Sequence, residues 1–224
     1  MSDLFELNCS TTLVIGAGTL GAEVAAAGAV EDDGSDGMRL ACWSAAHTDP
    51  ARLIASGLSH KLLLDTGPAS SGPFAERNLL RNLAHKQDEI TALTHGRTAV
   101  ILTGSLHEQA AALLMPALAG EFVQRGLHVS VVTIESLCDE SKRLPIHADI
   151  RIPIIDDGAC GEIAVGAGRR RVQKKLLDVI LEMTQIMSAA VDCEQATEAL
   201  RHAYADFHDN TQVGSLRVVE SLNF

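Results

Sequence analysis

The chain has 224 residues, 46% of them hydrophobic, and its 18 basic and 29 acidic side chains give a formal net charge of −11. This composition predicts one domain that folds throughout, and the charge argues against general nucleic-acid binding. The five cysteines show no metal-binding spacing, and no cleavable leader or run of about 18 apolar residues occurs, so we expect a cytoplasmic protein without a membrane-spanning helix.

Strand-like apolar runs alternate with helical patterns along the chain, and this order predicts an α/β fold with a parallel sheet covered by helices on both faces. The predicted strands are Thr12–Ile15, Met38–Trp43, Lys61–Leu64, Thr98–Thr103, His128–Ile134 and Ile150–Ile155. The predicted helices are Gly21–Val30, a short helix that Asp49 caps with Pro50 at its first position, Phe74–Leu93 and Glu108–Arg125. Pro116 predicts a kink or a late start in the last of these helices.

The character of the chain changes after the sixth strand, where residues 156–168 form a glycine-rich connection to a long helix. Apolar residues recur along this helix at helical spacing, so we expect it to lie against the sheet. They are Val172, Leu176, Ile180, Met183 and Met187. A further helix is expected near Glu194–Phe207, and a last strand at Leu216–Val219.

Five cations lie within seven residues at the start of the long helix, where the helix dipole disfavours them. They are Arg169, Arg170, Arg171, Lys174 and Lys175. One interpretation is a solvated helix start. The other is a surface for an acidic partner, a nucleotide phosphate or a lipid headgroup, which leaves peripheral membrane contact through Arg169–Lys175 open.

The sequence predicts no metal site. Its nine histidines are dispersed along the chain. Residues 32–37 begin like a calcium-binding loop, but Trp43 stands where the closing glutamate of such a loop belongs.

The first strand runs into Gly16-Ala17-Gly18-Thr19-Leu20-Gly21, a G-x-G-x-x-G pattern ahead of a helix. Glycines let the backbone approach a phosphate and a helix N-terminus offers free N–H groups, so this loop is a candidate anion site. Glu23 weakens a phosphate site, because we expect its carboxylate in the first turn of the helix. An NAD(P)-binding oxidoreductase is an alternative, although residues 42–45 offer no acid for the ribose at the end of the second strand.

Three later segments, taken in order with this loop, resemble the tubulin/FtsZ family of filament-forming GTPases. Residues 40–53 are similar to the strand and N-T-D-x-x-x-L loop that follow the first helix of that family, and residues 61–77 to its next strand and loop near the γ-phosphate. Residues 99–134 resemble the strand, signature loop, helix and V-V-T strand of FtsZ. The resemblance implies a Rossmann-like parallel sheet of the tubulin/FtsZ N-terminal type, followed by a long core helix.

The resemblance also implies a site for GTP or GDP on the loops at one end of the sheet. The nucleotide-binding positions that it implies are Gly16, Gly18, Thr19, Gly21, Thr48, Asp49, Ser70, Ser71, Gly72, Gly104, Ser105 and Asp156. Asp192 and Glu194 are the catalytic candidates, because residues 189–196 lie where the acidic catalytic loop of the family falls. Gln195 stands at the position of the second acid of that loop.

The signature loop departs from the pattern of the family, which is G-G-G-T-G-[ST]-G. Those glycines allow backbone N–H groups to wrap the phosphates. This chain has T-G-S-L-H-E-Q-A instead, in which only Gly104 remains and Glu108 adds a negative charge. The second domain of the family is expected to be absent or vestigial, because the sequence stops soon afterwards.

The resemblance implies an FtsZ/tubulin-like cytoskeletal or filament-associated protein that acts by self-assembly or by binding another FtsZ/tubulin-like protein. The departures predict that its GTP binding and hydrolysis are weak, altered or absent. An active GTPase with an atypical phosphate loop is the alternative. Its cradle would consist of Gly16, Gly18, Gly21, Ser70, Ser71 and Gly104.

Overall fold

The computed structural model describes residues 11–32, 39–67, 72–135, 146–155, 167–189, 195, 198–200 and 202–203. Six strands occur within these ranges: β1 Thr12–Ala17, β2 Cys42–His47, β3 His60–Leu63, β4 Ala99–Ser105, β5 His128–Glu135 and β6 Ile150–Ile155. They form a parallel sheet in the order β3-β2-β1-β4-β5-β6, which confirms the predicted fold class. Because the order reverses between β1 and β4, a crevice opens beyond the carboxyl ends of these strands, where sheets of this type bind ligands.

The described helices are α1 Gly18–Glu31, α2 Pro50–Ala55, α3 Gly72–His85, α4 Gln87–Thr94, α5 Gln109–Gln124 and α6 Ala167–Ala189. The prediction of one helix over Phe74–Leu93 is wrong, since the chain leaves the helical conformation at Lys86. The apolar repeat continues through that break, because Leu83 on α3 and Ile90 on α4 are both buried in one cluster. Pro116 lies inside α5, which begins at Gln109, so the late start is excluded and the kink stays the prediction for this helix.

Two apolar clusters cover the two faces of the sheet. Alternate residues of β1 point to opposite faces, so Val14 joins the cluster that contains α1 and α6, whereas Leu13 and Ile15 join the one that contains α3, α4 and α5. All of β1 is buried, as expected of a parallel strand between two helical layers. Each buried leucine or isoleucine contributes roughly 1.5–3 kcal/mol.

The long helix α6 packs on the sheet as its pattern predicts. Its apolar residues Val172, Leu176, Ile180, Met183 and Met187 are all buried in the cluster shared with α1. Of the next predicted helix, Gln195, Glu198–Leu200 and His202–Ala203 are described as helical. The predicted strand at Leu216–Val219 lies outside the described residues. No helix in the described part of the chain is both long and apolar enough to cross a membrane.

Strand β2 spans Cys42–His47 and not the predicted Met38–Trp43. The residues ahead of it are hydrogen-bonded to Asp32 instead of to a neighbouring strand. The buried Asp32 carboxylate accepts hydrogen bonds from Leu40 N at 2.8 Å, Ala41 N at 2.9 Å and Trp43 Nε1 at 2.7 Å. These bonds hold residues 40–41 outside the sheet. Strand β2 begins at Cys42 and ends at His47, next to the crevice.

Candidate functional site

Most of the described site residues lie where the sequence resemblance places them, at the carboxyl ends of β1, β2 and β4. Gly16, Gly18, Thr19 and Gly21 form the connection from β1 into α1, Thr48 and Asp49 join β2 to α2, Gly104 and Ser105 end β4, and Gly72 begins α3. Ser70, Ser71, Asp156, Asp192 and Glu194 lie outside the described residues. The crevice therefore gathers three of the predicted loops.

The Glu108 carboxylate lies against the N-terminus of α1. Its Oε2 accepts a hydrogen bond of 2.6 Å from Thr19 N, and its Oε1 accepts one of 3.1 Å from Leu20 N. The first N–H groups of a helix have no intrahelical partner and attract anions. We call these two bonds the Glu108 cap. A carboxylate of the protein itself thus occupies the anion position that the glycine loop was predicted to offer to a phosphate.

Three of the glycines are explained by close packing of the backbone. A Cβ at Gly16 would lie 1.9 Å from the Gly21 carbonyl oxygen, and one at Gly21 would lie 2.5 Å from that of Thr103. A Cβ at Gly104 would lie 2.6 Å from the Ala17 carbonyl oxygen. These glycines are needed to bring β1, α1 and β4 together whether or not a ligand binds. The G-x-G-x-x-G pattern therefore does not by itself indicate a phosphate site.

Gly18 has a different role, because it begins α1 with a φ of 74°. Residues other than glycine rarely adopt this backbone conformation. A Cβ at this position would also lie 2.6 Å from Glu108 Oε2. The absence of a Cβ at Gly18 thus leaves room for the Glu108 carboxylate at the N-terminus of α1.

A surface cavity of about 400 Å³ adjoins the Glu108 cap. Its lining residues are Thr19, Glu23, His47, Arg52, Glu108, Gln109, Ala110 and Arg169. The volume lies within the range of small-molecule sites. The two carboxylates and two guanidinium groups of the lining balance each other, so the cavity offers an anion little net attraction.

Arg169 connects the start of α6 to this site. Its Nη2 donates to Glu23 Oε1 at 2.9 Å, and its Nε donates to Glu23 Oε2 at 3.2 Å. Glu23 lies in the second turn of α1 rather than the first, because α1 begins at Gly18 and not at the predicted Gly21. Arg52 lines the same cavity and makes no ion pair with any described residue. The basic run of the sequence thus contributes one side chain to the site.

The other cations of the run do not line the cavity. Arg170, Arg171 and Lys174 are exposed, and Lys175 is partly buried. They follow Arg169 on the first turns of α6.

His47 is a site residue that the sequence analysis missed among nine dispersed histidines. Its Nδ1 accepts a hydrogen bond of 2.8 Å from Asp49 N, and its Nε2 lies 3.3 Å from Thr19 Oγ1. Burial lowers the pKa of His47, which favours the neutral ring. Because Nδ1 is an acceptor, the neutral ring carries its proton on Nε2 and donates it to Thr19 Oγ1. The position of His47, two residues before a helix cap, was the available signal.

The buried position of Glu108 disfavours the ionised form of its carboxyl group. Burial raises the pKa of the Glu108 carboxyl, and the hydrogen bonds from Leu20 N and Thr19 N and the charge of Arg169 lower it. Burial is the largest of these effects. The environment therefore favours the neutral acid more than water does.

Two further predicted positions already have partners. Asp49 accepts a hydrogen bond of 2.8 Å from Ala51 N, which confirms the predicted cap of α2. Ser105 is buried, and its Oγ accepts a hydrogen bond of 3.3 Å from His107 N. The acid that follows β2 is therefore Asp49, and the argument that placed the strand end at residues 42–45 is wrong. That acid caps a helix and lies two residues past the strand.

A parallel sheet in this order with a glycine loop that enters α1 is a Rossmann-like fold, and the solved structures that it matches are of the tubulin/FtsZ type. The chain is similar to a GTPγS-bound protofilament of CetZ2 from Haloferax volcanii, at 18% identity and a TM-score of 0.62, over 85% of this chain and 63% of that one. It is also similar to an empty FtsZ dimer of M. jannaschii, at 15% identity and a TM-score of 0.64, over 82% of this chain and 57% of that one.

A protofilament of TubZ from bacteriophage PhiKZ matches at 13% identity and a TM-score of 0.57, over 92% of this chain and 65% of that one. This chain thus spans less than two thirds of the length of these three proteins. No family model matches the sequence, and neither does any curated protein. The structural likeness confirms the fold that the sequence resemblance implied.

Proposed function

We propose that this chain is a tubulin/FtsZ-like assembly protein that acts in the cytoplasm by self-association or by docking onto another protein of this fold. GTP binding and hydrolysis are weak, altered or absent in this proposal. One observation carries it, which is the Glu108 cap on the N–H groups of Thr19 and Leu20. Self-association is supported by the similar structures, two of which are protofilaments and one a dimer.

The argument against a nucleotide at this position is steric and electrostatic. A phosphate and the Glu108 carboxylate cannot accept hydrogen bonds from the same two N–H groups at once. Two like charges 4 Å apart repel by about 4 kcal/mol at an effective dielectric constant of 20, a factor of roughly a thousand in affinity. Arg169 offsets little of this repulsion, because its charge is already paired with Glu23. A phosphate therefore needs Glu108 to leave.

Calorimetric titration of the purified chain with GTP and GDP tests the nucleotide part of this proposal. We expect no binding with a Kd below about 100 µM, which corresponds to a binding free energy weaker than about −5.5 kcal/mol. Low-micromolar affinity together with phosphate release would instead support the active GTPase with an atypical loop. A rise in melting temperature with NAD(P) alone would support the oxidoreductase.

Sedimentation velocity over a range of protein concentrations tests the assembly part. We expect larger species to form as the concentration rises, with or without GTP. A chain that stays monomeric throughout and binds no related filament protein in co-sedimentation contradicts this part of the proposal.

A further inference from the structure

We infer that the Glu108 cap is an autoinhibitory contact, in which the carboxylate is a displaceable internal ligand that competes with a phosphate-bearing ligand for α1. The inference rests on the proposed function, because it concerns the same closed site. The new element is that the Glu108 carboxylate can leave α1 and return to it. The Thr19 and Leu20 N–H groups and the adjoining cavity stay in place when the carboxylate leaves.

The first argument is the absence of a local cap on α1. The N-cap residue is Ala17, which offers no side-chain acceptor, and the first turn contains no acidic residue. A Ser, Thr, Asp or Asn at this position would satisfy the free N–H groups permanently, at a gain of roughly 1 kcal/mol. The helix instead receives its acceptor from Glu108, 89 positions away from Thr19. Its donors are therefore met by a group that can move away.

The second argument is that the Glu108 side chain can leave without disturbing the fold. Backbone bonds hold this residue, since Glu108 N donates to Ser105 O at 3.0 Å and Ala112 N donates to Glu108 O at 2.9 Å. These bonds fix the turn between β4 and α5 independently of the carboxylate. The cavity of about 400 Å³ beside the cap gives room for the side chain or for a ligand.

The third argument is energetic. Burial raises the pKa of Glu108, so transfer from water to the cap is less favourable for the ionised carboxylate than for the neutral acid. In an open state the exposed carboxyl ionises more readily, and a rise in pH through its pKa therefore favours opening. The groups that face it are Glu23 on α1, His47 on β2, Arg52 on α2 and Arg169 on α6. When Glu108 leaves, its negative charge also leaves the site, and the two arginines then outweigh Glu23.

The experiment compares three variants by calorimetric titration with GTP and with inorganic phosphate. Glu108→Ala removes the carboxylate, whereas Glu108→Gln removes the charge and keeps one acceptor oxygen. Glu31→Ala is the matched control, because Glu31 is exposed at the other end of α1 and changes the net charge equally. We expect Glu108→Ala to bind GTP about tenfold more tightly than the wild type, the size of a favourable interaction at a helix N-terminus. The gain is smaller than the roughly thousandfold effect of the full repulsion, because the wild-type carboxylate can move away from the phosphate. Glu108→Gln should gain less, and Glu31→Ala nothing.

Inorganic phosphate separates the two sources of the ligand group. If phosphate and GTP both gain affinity in Glu108→Ala, the uncapped helix binds a phosphate group as such. If GTP alone gains, the rest of the nucleotide contributes the binding energy. Either result supports the competition.

A folded Glu108→Ala variant that gains affinity for neither probe overturns the inference and leaves the proposed function intact. Low-micromolar GTP binding by the wild type overturns the proposed function instead. If Glu108→Ala does not fold, Glu108→Gln decides the question, because its neutral side chain no longer repels a phosphate. Unchanged affinity for GTP in a folded Glu108→Gln variant then counts against the competition.

Discussion

Thr19 donates a backbone hydrogen bond of 2.6 Å to the Glu108 carboxylate, although 89 positions separate the two residues. The bond joins the turn after β4 to the first turn of α1. It lies at the point where the sheet order reverses. The same contact therefore stabilises the fold locally and occupies the two N–H groups for which, in our proposal, a phosphate competes.

The first prediction concerns the pH dependence of stability in wild type and Glu108→Gln. The pKa of Glu108 is raised in the folded state by burial, above its value in the unfolded chain. The stability linked to this group is therefore complete below the unfolded pKa and is lost as the pH rises through the folded pKa. We expect the wild type to lose stability relative to Glu108→Gln as the pH rises above the usual pKa of a glutamate, about 4.3.

Urea denaturation at several pH values above that pKa measures the difference. His47, whose pKa burial lowers, is present in both proteins, so its contribution cancels to first order. A stability difference that is constant with pH, or that moves in favour of the wild type as the pH rises, contradicts the prediction.

The second prediction concerns Asp32, whose carboxylate accepts three hydrogen bonds ahead of β2. Asp32→Ala leaves buried N–H groups without an acceptor, and each such group costs about 1–3 kcal/mol. We expect a loss of roughly 2–4 kcal/mol in the free energy of unfolding, since these penalties do not add fully. The exposed neighbour provides a control, and Glu31→Ala should change stability by less than about 0.5 kcal/mol. Chemical denaturation of both variants provides the measurement.

The sequence predicted the fold better than the details of the site. Buried parallel strands such as β1 are continuous apolar runs with helices between them, and this signal is local. The bounds of β2 were missed because the start of this strand depends on hydrogen bonds between Asp32 and residues 40–43. Such bonds leave no periodic pattern in the sequence. The break at Lys86 was missed because the apolar repeat of α3 continues in α4.

The state of the site could not be predicted for two physical reasons. Gly16 and Gly21 allow a close phosphate approach and close backbone packing equally well, so the same letters fit an open and a closed site. The negative charge that Glu108 adds to the signature loop was visible in the sequence. Its contact with Thr19 depends on how β1 and β4 pair, which becomes visible only in three dimensions.

The third prediction concerns Gly21 and separates packing from ligand binding. In Gly21→Ala the added Cβ would lie 2.5 Å from the Thr103 carbonyl oxygen and 2.9 Å from the Gly16 carbonyl carbon. Both neighbours are backbone, so we expect a loss of roughly 2–4 kcal/mol in stability without any nucleotide present. Gly120 on α5 has nothing within 4 Å of the corresponding position, so Gly120→Ala should stabilise the chain by about 0.5–1 kcal/mol.

Thermal melts of the two glycine variants in nucleotide-free buffer decide this point. A Gly21→Ala variant as stable as wild type would show that backbone packing does not require a glycine at this position. Loss of nucleotide binding in such glycine variants would not by itself identify a phosphate site, because misfolding gives the same result.

The fourth prediction concerns Glu23 and Arg169, whose two hydrogen bonds join α1 to α6. Both side chains are about one third to two fifths exposed, so a double-mutant cycle should give a coupling of roughly 0.5–1 kcal/mol that decreases in high salt. The pair has a larger effect on ligand binding, because Glu23 neutralises a cation of the cavity. With Glu108→Ala already in place, Glu23→Gln should therefore raise the affinity for GTP further. Adding Arg169→Ala to Glu23→Gln in that background should abolish the extra gain. If the gain survives without Arg169, the charge that Glu23 neutralises is not that of Arg169.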